Sequence, residues 1–396
     1  GNYVNENVFA YSNRNWSEAA LVLYNNAYQS TSGWVKNSTG FAVKDGNGNK
    51  SIRTSNLAEG LGLSGSPNAY CLLHEQRSNL WFIRSCAEIH DRGIFVSLGG
   101  YQSQVFMDIT QVFDDDHQYY RHLCEVLNGS GVNDIQIALQ ELYLKDLYAS
   151  FAKAVNPETL KELRACILPD SGKAGSITKF IESIKAPMIE FFDTFRQFLY
   201  GDYGAQNVYD VDKAGKMLSN EEVFENLAVK LTRLSKLPGI VETQKGMKEE
   251  SLALLTKVLD FLKTKEYLLE YTFFFALINS FKDLLGDKAE SSDSLSVFEH
   301  WCLDRKFREV LQQMGMAGDA AYYKTEIFKC LIPTADITIK NLSISEKALY
   351  LVSEIFDNTN NWKALGVNMY EDVVWYGKEN AEELFGMAEV FYSICG

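Results

Sequence analysis

The stretch Gln102-Ser-Gln-Val-Phe-Met-Asp-Ile-Thr-Gln-Val-Phe-Asp-Asp-Asp116 decides the fold. Its first half, Gln102–Ile109, is a β-branched and aromatic run that suits a half-buried strand. From Asp114-Asp115-Asp116 onward the apolar period changes from about 2 to about 3.6 and stays there.

Working back from that point, every segment reads as short strands broken by Gly, Asn and Ser. Val8–Asn13 and Ala19–Asn25 flank Arg14–Glu18 as a hairpin, and Ala69–His74 and Leu80–Arg84 form another around Gln76–Asn79. Residues 37–50 hold Gly40 and Asp45-Gly-Asn-Gly-Asn49, a loop or tight hairpin. Cys86–Arg92 is a short helix that Gly93 can end in a left-handed conformation, and Ile94–Leu98 is a further strand. Six or more short strands at this spacing predict an antiparallel β-sandwich.

Working forward, the signals are helical. Asn156-Pro157-Glu158 is an N-cap with proline at the first helical position. Ser219-Asn-Glu-Glu222 and Ser343-Ile-Ser-Glu346 are capping boxes. Leu252, Leu255, Val258, Leu259 and Leu262 form one apolar stripe, and Ala381, Leu384, Phe385, Ala388 and Phe391 form a second. Tyr271–Ile278 is apolar on all sides and belongs at the centre of a helical core. Strands first and helices after predict two units: an antiparallel β-sandwich over residues 1–113 and an all-α domain over residues 114–396.

The 396 residues are 46% hydrophobic and 13% aromatic, enough to bury sizeable cores. Net charge is −14, from 52 acidic and 38 basic residues, which argues against a nucleic-acid partner. The run around Tyr271–Ile278 falls short of the ~20 apolar residues that cross a bilayer, so no membrane partner is expected. Cys71, Cys86, Cys124, Cys166, Cys302, Cys330 and Cys395 are odd in number and irregularly spaced. That pattern predicts reduced core thiols in a cytoplasmic-type environment. Gly1 runs straight into strand-like sequence with no signal peptide, so a native segment is expected to precede it.

Motifs that would carry chemistry are incomplete. Cys71-x2-His74 and Cys86-x3-His90 resemble a zinc pattern, yet Cys71 and His74 sit an odd number of positions apart on one strand and point to opposite faces. Asp114-Asp115-Asp116 could hold calcium, but consecutive aspartates at a helix start more often cap it. None of Gly46-x-Gly48, Gly60-x-Gly62 or Gly129-x-Gly131 follows a strand and opens a helix within a βαβ unit, so none is a phosphate loop. No catalytic residue, metal ligand or cofactor is assigned. Trp16, Tyr28, Trp34 and Trp81 lie in or beside loops of the β-region as candidate carbohydrate contacts, the alternative being ordinary packing. Trp301, Trp362 and Trp375 are expected in the helical core.

Val8-Phe-Ala-Tyr-Ser12 followed by Ala19-Ala-Leu-Val-Leu-Tyr-Asn-Asn26 resembles the opening hairpin of the C-terminal β-sandwich of alpha-amylase family glycoside hydrolases. Trp81-Phe-Ile-Arg-Ser85, Gly93-Ile-Phe-Val96 and Tyr101–Ile109 are similar to the end of that domain in a bacterial subgroup. There the chain continues into helices, as Leu127-Asn-Gly-Ser-Gly-Val132 and Ala138-Leu-Gln-Glu-Leu142 do here. Leu365-Gly-Val-Asn-Met-Tyr370 and Val374-Trp-Tyr-Gly-Lys-Glu379 also resemble that subgroup, although the likeness is weaker beyond roughly residue 150. The family draws its two catalytic carboxylates from strand ends of a (β/α)₈ barrel of ~250 residues. The segments that carry them, Gly-Phe-Arg-x-Asp and Asn-His-Asp, are absent from this sequence. The resemblance therefore implies a non-catalytic C-terminal region whose sandwich packs on an upstream catalytic barrel of the same native chain. A carbohydrate-binding module for α-glucans is the alternative, and a self-contained enzyme of unknown type is a second. A docking sandwich should expose an apolar patch near Tyr3, Phe9 or Trp34, unless the helical domain or a second copy covers it.

Overall fold

The structure, a computed structural model, describes residues 4–169, 175–201, 209, 215–243, 248–338, 342–371 and 373–395. Tyr3 lies outside them. The chain divides into two compact units, Gly1–Lys145 and Asp146–Gly396.

The first unit contains β1 (Val8–Asn15), β2 (Glu18–Asn25), β3 (Thr31–Val35), β4 (Phe41–Lys44), β5 (Lys50–Arg53), α1 (Leu57–Leu61), β6 (Ala69–Glu75), β7 (Leu80–Ser85), α2 (Cys86–Asp91), β8 (Ile94–Leu98), β9 (Ser103–Phe113), α3 (Tyr119–Leu127) and α4 (Ile135–Tyr143). The two expected hairpins form, β1 with β2 and β6 with β7, and the stretch read as a loop or tight hairpin becomes the hairpin of β4 with β5, whose second strand runs on to Arg53. β8 and β9 are both strands but pair elsewhere, β8 with β3 and β9 with β2 and β6. The β6–β9 pairing shifts register between Leu72 and His74, where Asp108 of β9 takes a left-handed backbone (φ 49°).

A five-stranded antiparallel sheet results, in the order β1-β2-β9-β6-β7. β2 explains how it packs. Leu21, Leu23 and Asn25 are buried while the residues between them are only half-buried, as strand alternation requires. On that inner face, Leu21, Leu23, Cys71, Leu73 and Phe106 form a core with Leu57 and Leu61 of α1, Ile89 of α2, and Ile94, Val96 and Leu98 of β8. Gly93 is required where α2 turns into β8: its φ is 86°, and an added β-carbon would stand 2.1 Å from the Val35 carbonyl oxygen.

Two expectations are corrected here. The sandwich of two sheets resolves into one five-stranded sheet, covered on its inner face by the β3–β8 ribbon and two short helices. The second correction concerns where the unit ends. α3 and α4 bury Leu123, Ile135 and Leu139 against Tyr70, Leu72 and Ile83 on the outer sheet face. The change of period at residue 114 thus marks strand giving way to helix, and the compact unit closes only at Lys145. Asp114 caps α3, its carboxylate accepting from the Tyr120 and Arg121 amides at 2.8 and 2.9 Å.

The second unit runs through α5 (Lys145–Ala154), α6 (Pro157–Ile167), α7 (Ile177–Tyr200), α8 (Asn220–Thr243), α9 (Glu249–Thr264), α10 (Leu268–Asn279), α11 (Phe281–Leu285), α12 (Ser291–His300), α13 (Leu303–Gln313), α14 (Gly318–Lys329), α15 (Ile344–Phe356), α16 (Trp362–Leu365), the hairpin β10 (Asn368–Tyr370) and β11 (Val373–Trp375), and α17 (Lys378–Cys395). Every residue of α10 from Leu268 to Ile278 is buried, matching the all-round apolar reading. Its Phe275 stacks on Phe391 of α17 at 4.5 Å. Its buried Glu270 is held by a two-pronged ion pair from Arg164 at 2.9 and 2.8 Å. The all-α expectation is corrected by β10 and β11, which among the described residues pair only with each other. Trp301 is buried as expected, and Trp362 is half-buried with its indole N–H donated to the Phe356 carbonyl at 2.8 Å. Trp375 is 62% exposed on β11 instead of lying in the core.

Candidate functional site

Strand alternation that sends Leu21 and Leu23 inward sends their neighbours to the outer sheet face. Over β6 and β7 that face is roofed by α3 and α4. Over β1, β2 and the start of β9 no described residue roofs it. Phe9 pairs across to Tyr24, Tyr11 to Val22, and Val22 to Val105. Phe9, Tyr11 and Met107 are 49, 61 and 46% exposed, and Val22, Tyr24 and Val105 are half-buried. The outer face is therefore half core and half uncovered aromatic surface, a combination that marks an interaction surface more often than a free one.

The four candidate sugar contacts do not come together. Trp16 sits at the β1–β2 turn with a left-handed backbone and is 88% exposed. Trp34 on β3 meets Phe95 edge-on at 5.4 Å and carries the Arg92 guanidinium 4.3 Å from its ring. Trp81 on β7 stacks on His74 at 4.5 Å, its ring half-buried beside the core under α3 and α4. That His74 ring is fixed in turn by Asp108 at 3.2 Å and Asn79 at 2.9 Å.

Tyr28 differs from these three. It is 81% exposed, and the turn bearing Tyr101, 59% exposed, is bonded to its own loop. The Tyr101 amide donates to the Ala27 carbonyl at 3.0 Å, and the buried Asn25 amide nitrogen donates to the Gln29 and Gly99 carbonyls at 2.8 and 2.9 Å. An added β-carbon at Gly100 would stand 2.1 Å from the Tyr28 carbonyl oxygen, so only glycine lets the two loops approach. Tyr101 was not among the sequence candidates because it opens a strand-like run. The Gly99-Gly100 pair before it was the available signal of a turn.

Among the described residues, titratable groups give no convergent arrangement for chemistry. Cys71 and Cys86 lie in the inner core, where burial pushes the Cys71 thiol far up and the Cys86 thiol to about 11. Burial likewise takes Cys330 to about 12. Thiols held protonated in this way are poor nucleophiles. His90 bonds the Leu63 carbonyl at 3.0 Å. Among the described residues no group of three or more His, Cys, Asp or Glu could hold a metal ion. A shallow groove between α9 and α17 is lined by Phe261, Leu268, Phe385 and Met387. Its rim carboxylates face lysines, Glu389 to Lys257 at 2.6 Å and Glu383 to Lys324 at 2.8 Å. Among the described residues no helix is long and apolar enough to cross a membrane.

No protein-family model matches the chain, nor does any curated protein or solved structure.

Proposed function

We propose that this chain is a non-catalytic accessory region of an alpha-amylase-type glycoside hydrolase, and that its first unit docks on the catalytic barrel. The observation that carries this reading is the uncovered half of the outer sheet face, with Phe9, Tyr11 and Met107 exposed beside Tyr24. Aromatic side chains are enriched where one protein surface meets another. The test compares this chain with the full product of its gene by hydrogen exchange. Amides of β1 and β2 should gain protection in the longer protein, and Phe9→Ala with Tyr11→Ala should remove the gain. This chain alone should release no reducing sugar from starch. Unchanged exchange across residues 4–145, or sugar release abolished by a substitution within this chain, overturns the reading.

A second reading is supported by Tyr28 and Tyr101: a module that holds α-glucan on a tyrosine pair. Stacking on an aromatic ring is sequestering, not catalytic, and two rings on tied loops lose little freedom on binding. Retention on insoluble starch should fall about tenfold for Tyr28→Ala or Tyr101→Ala, a loss of about 1.4 kcal/mol. Equal retention of both variants and the parent removes this reading.

A further inference from the structure

The five-stranded sheet has two edges, and they are treated differently. β7 is closed: Trp81 exchanges both backbone hydrogen bonds with Val132, at 2.7 and 2.8 Å, and the Arg84 guanidinium bonds the Gly129 carbonyl at 2.9 Å. Among the described residues β1 has no such cover. From Phe9 to Asn15 the strand is exposed along its whole length, and it contains no proline, no bulge and a single charge, Arg14. Native proteins normally block a long exposed edge by just those devices.

The backbone directions at this edge follow from the hairpin. The Asn26 amide donates to the Asn7 carbonyl at 2.7 Å, so odd-numbered residues of β1 exchange bonds with β2. Even-numbered Ala10, Ser12 and Arg14 therefore aim their N–H and C=O groups out of the sheet. We propose that two copies of this chain join through β1, antiparallel about a two-fold axis at Ala10, to make one continuous ten-stranded sheet. Even residues must face even residues, which restricts the register. Centring on Ala10 sets Phe9 opposite Tyr11 of the second copy twice over, on the outer face, and brings Glu6 towards the Arg14 end of its partner. A shift by one step, centred on Tyr11, would oppose Phe9 to Asn13 and Val8 to Arg14, leaving one aromatic pair, Tyr11 with its own copy, in place of two and losing the opposite charges. Cross-strand aromatic pairs and opposite charges are the favourable combinations in antiparallel sheets. The inference is independent of docking on a barrel, because it uses the strand edge and leaves the sheet face open.

Sedimentation equilibrium of the intact chain tests it. Dimers are expected at micromolar concentration. Ala10→Pro removes the amide that would bond across the axis twice while leaving the β1–β2 ladder intact, and should raise the dissociation constant about a hundredfold. Ala10→Cys should form an intermolecular disulfide under mild oxidation, since residue 10 meets its own copy, whereas Asn13→Cys should not. A parent chain that stays monomeric, a dimer that survives Ala10→Pro, or an Ala10→Cys variant that fails to cross-link overturns the proposal. The cross-link decides the matter even if the proline variant does not fold.

Discussion

Asn25 does more for the first unit than its size suggests. It is fully buried, and its one amide group satisfies the carbonyls of Gln29 and Gly99 from two different loops. A hydrogen bond contributes a net of about 0.5–1.5 kcal/mol, and the Gly99 carbonyl keeps the Gln102 amide at 3.2 Å, so Asn25→Ala, which removes both bonds, should destabilise the unit by about 2 kcal/mol. Urea denaturation checks this, and a loss below about 1 kcal/mol would mean that water takes over both acceptors. The same substitution frees the Tyr28 and Tyr101 loops from one another. Starch retention should then fall even with both tyrosines in place, if the pair binds glucan. The sequence marked Asn25 only as the end of a strand. Nothing in a strand pattern tells a terminal asparagine that caps two loops from one that faces water.

At the scale of elements, the first unit depends on helices that a reading by period assigns elsewhere. Tyr70, Leu72 and Ile83 are roofed by α3 and α4. Burying an apolar side chain is worth about 1.5–3 kcal/mol, so uncovering these three costs about 5 kcal/mol, comparable with the whole stability of a small domain. A fragment of residues 1–145 should therefore unfold cooperatively in urea, while residues 1–113 should show no cooperative transition. Two fragments of equal stability would place the unit's end back at the change of period. Much of the element level was legible beforehand. The two expected hairpins, the Asn156 and Ser343 caps and the buried α10 all stand where turn chemistry and periodicity put them. What periodicity cannot give is the partner of an apolar stripe. Leu123, Ile135 and Leu139 look the same in sequence whether they pack on a sheet or on other helices. Trp375 failed for a related reason: apolar content sorts residues by type, and a hairpin that among the described residues pairs only with itself has no second layer to hide them.

For the whole molecule, charge and surface pull in different directions. A net charge of −14 opposes association between copies, yet β1 carries only Arg14, so the repulsion is spread over the rest of the chain. Salt should therefore tighten pairing through β1 and not weaken it, because screening removes a diffuse repulsion and costs only two exposed ion pairs. The candidate site was legible only in part. Phe9 could be named from its place in an aromatic strand, while Tyr11, Tyr24 and Met107 follow only from knowing which face Leu21 and Leu23 occupy and where α3 and α4 stop. The unequal edges of the sheet have a further consequence, one of stoichiometry. A sheet open at both sides can recruit strands indefinitely, which is the geometry of a fibril. Here the Val132 bridge terminates one side, so joining two copies through β1 consumes the edge of the five-stranded sheet that no described residue covers. Assembly by this route is self-limiting, and the small contact at Val132 is what separates a closed pair from an endless ribbon.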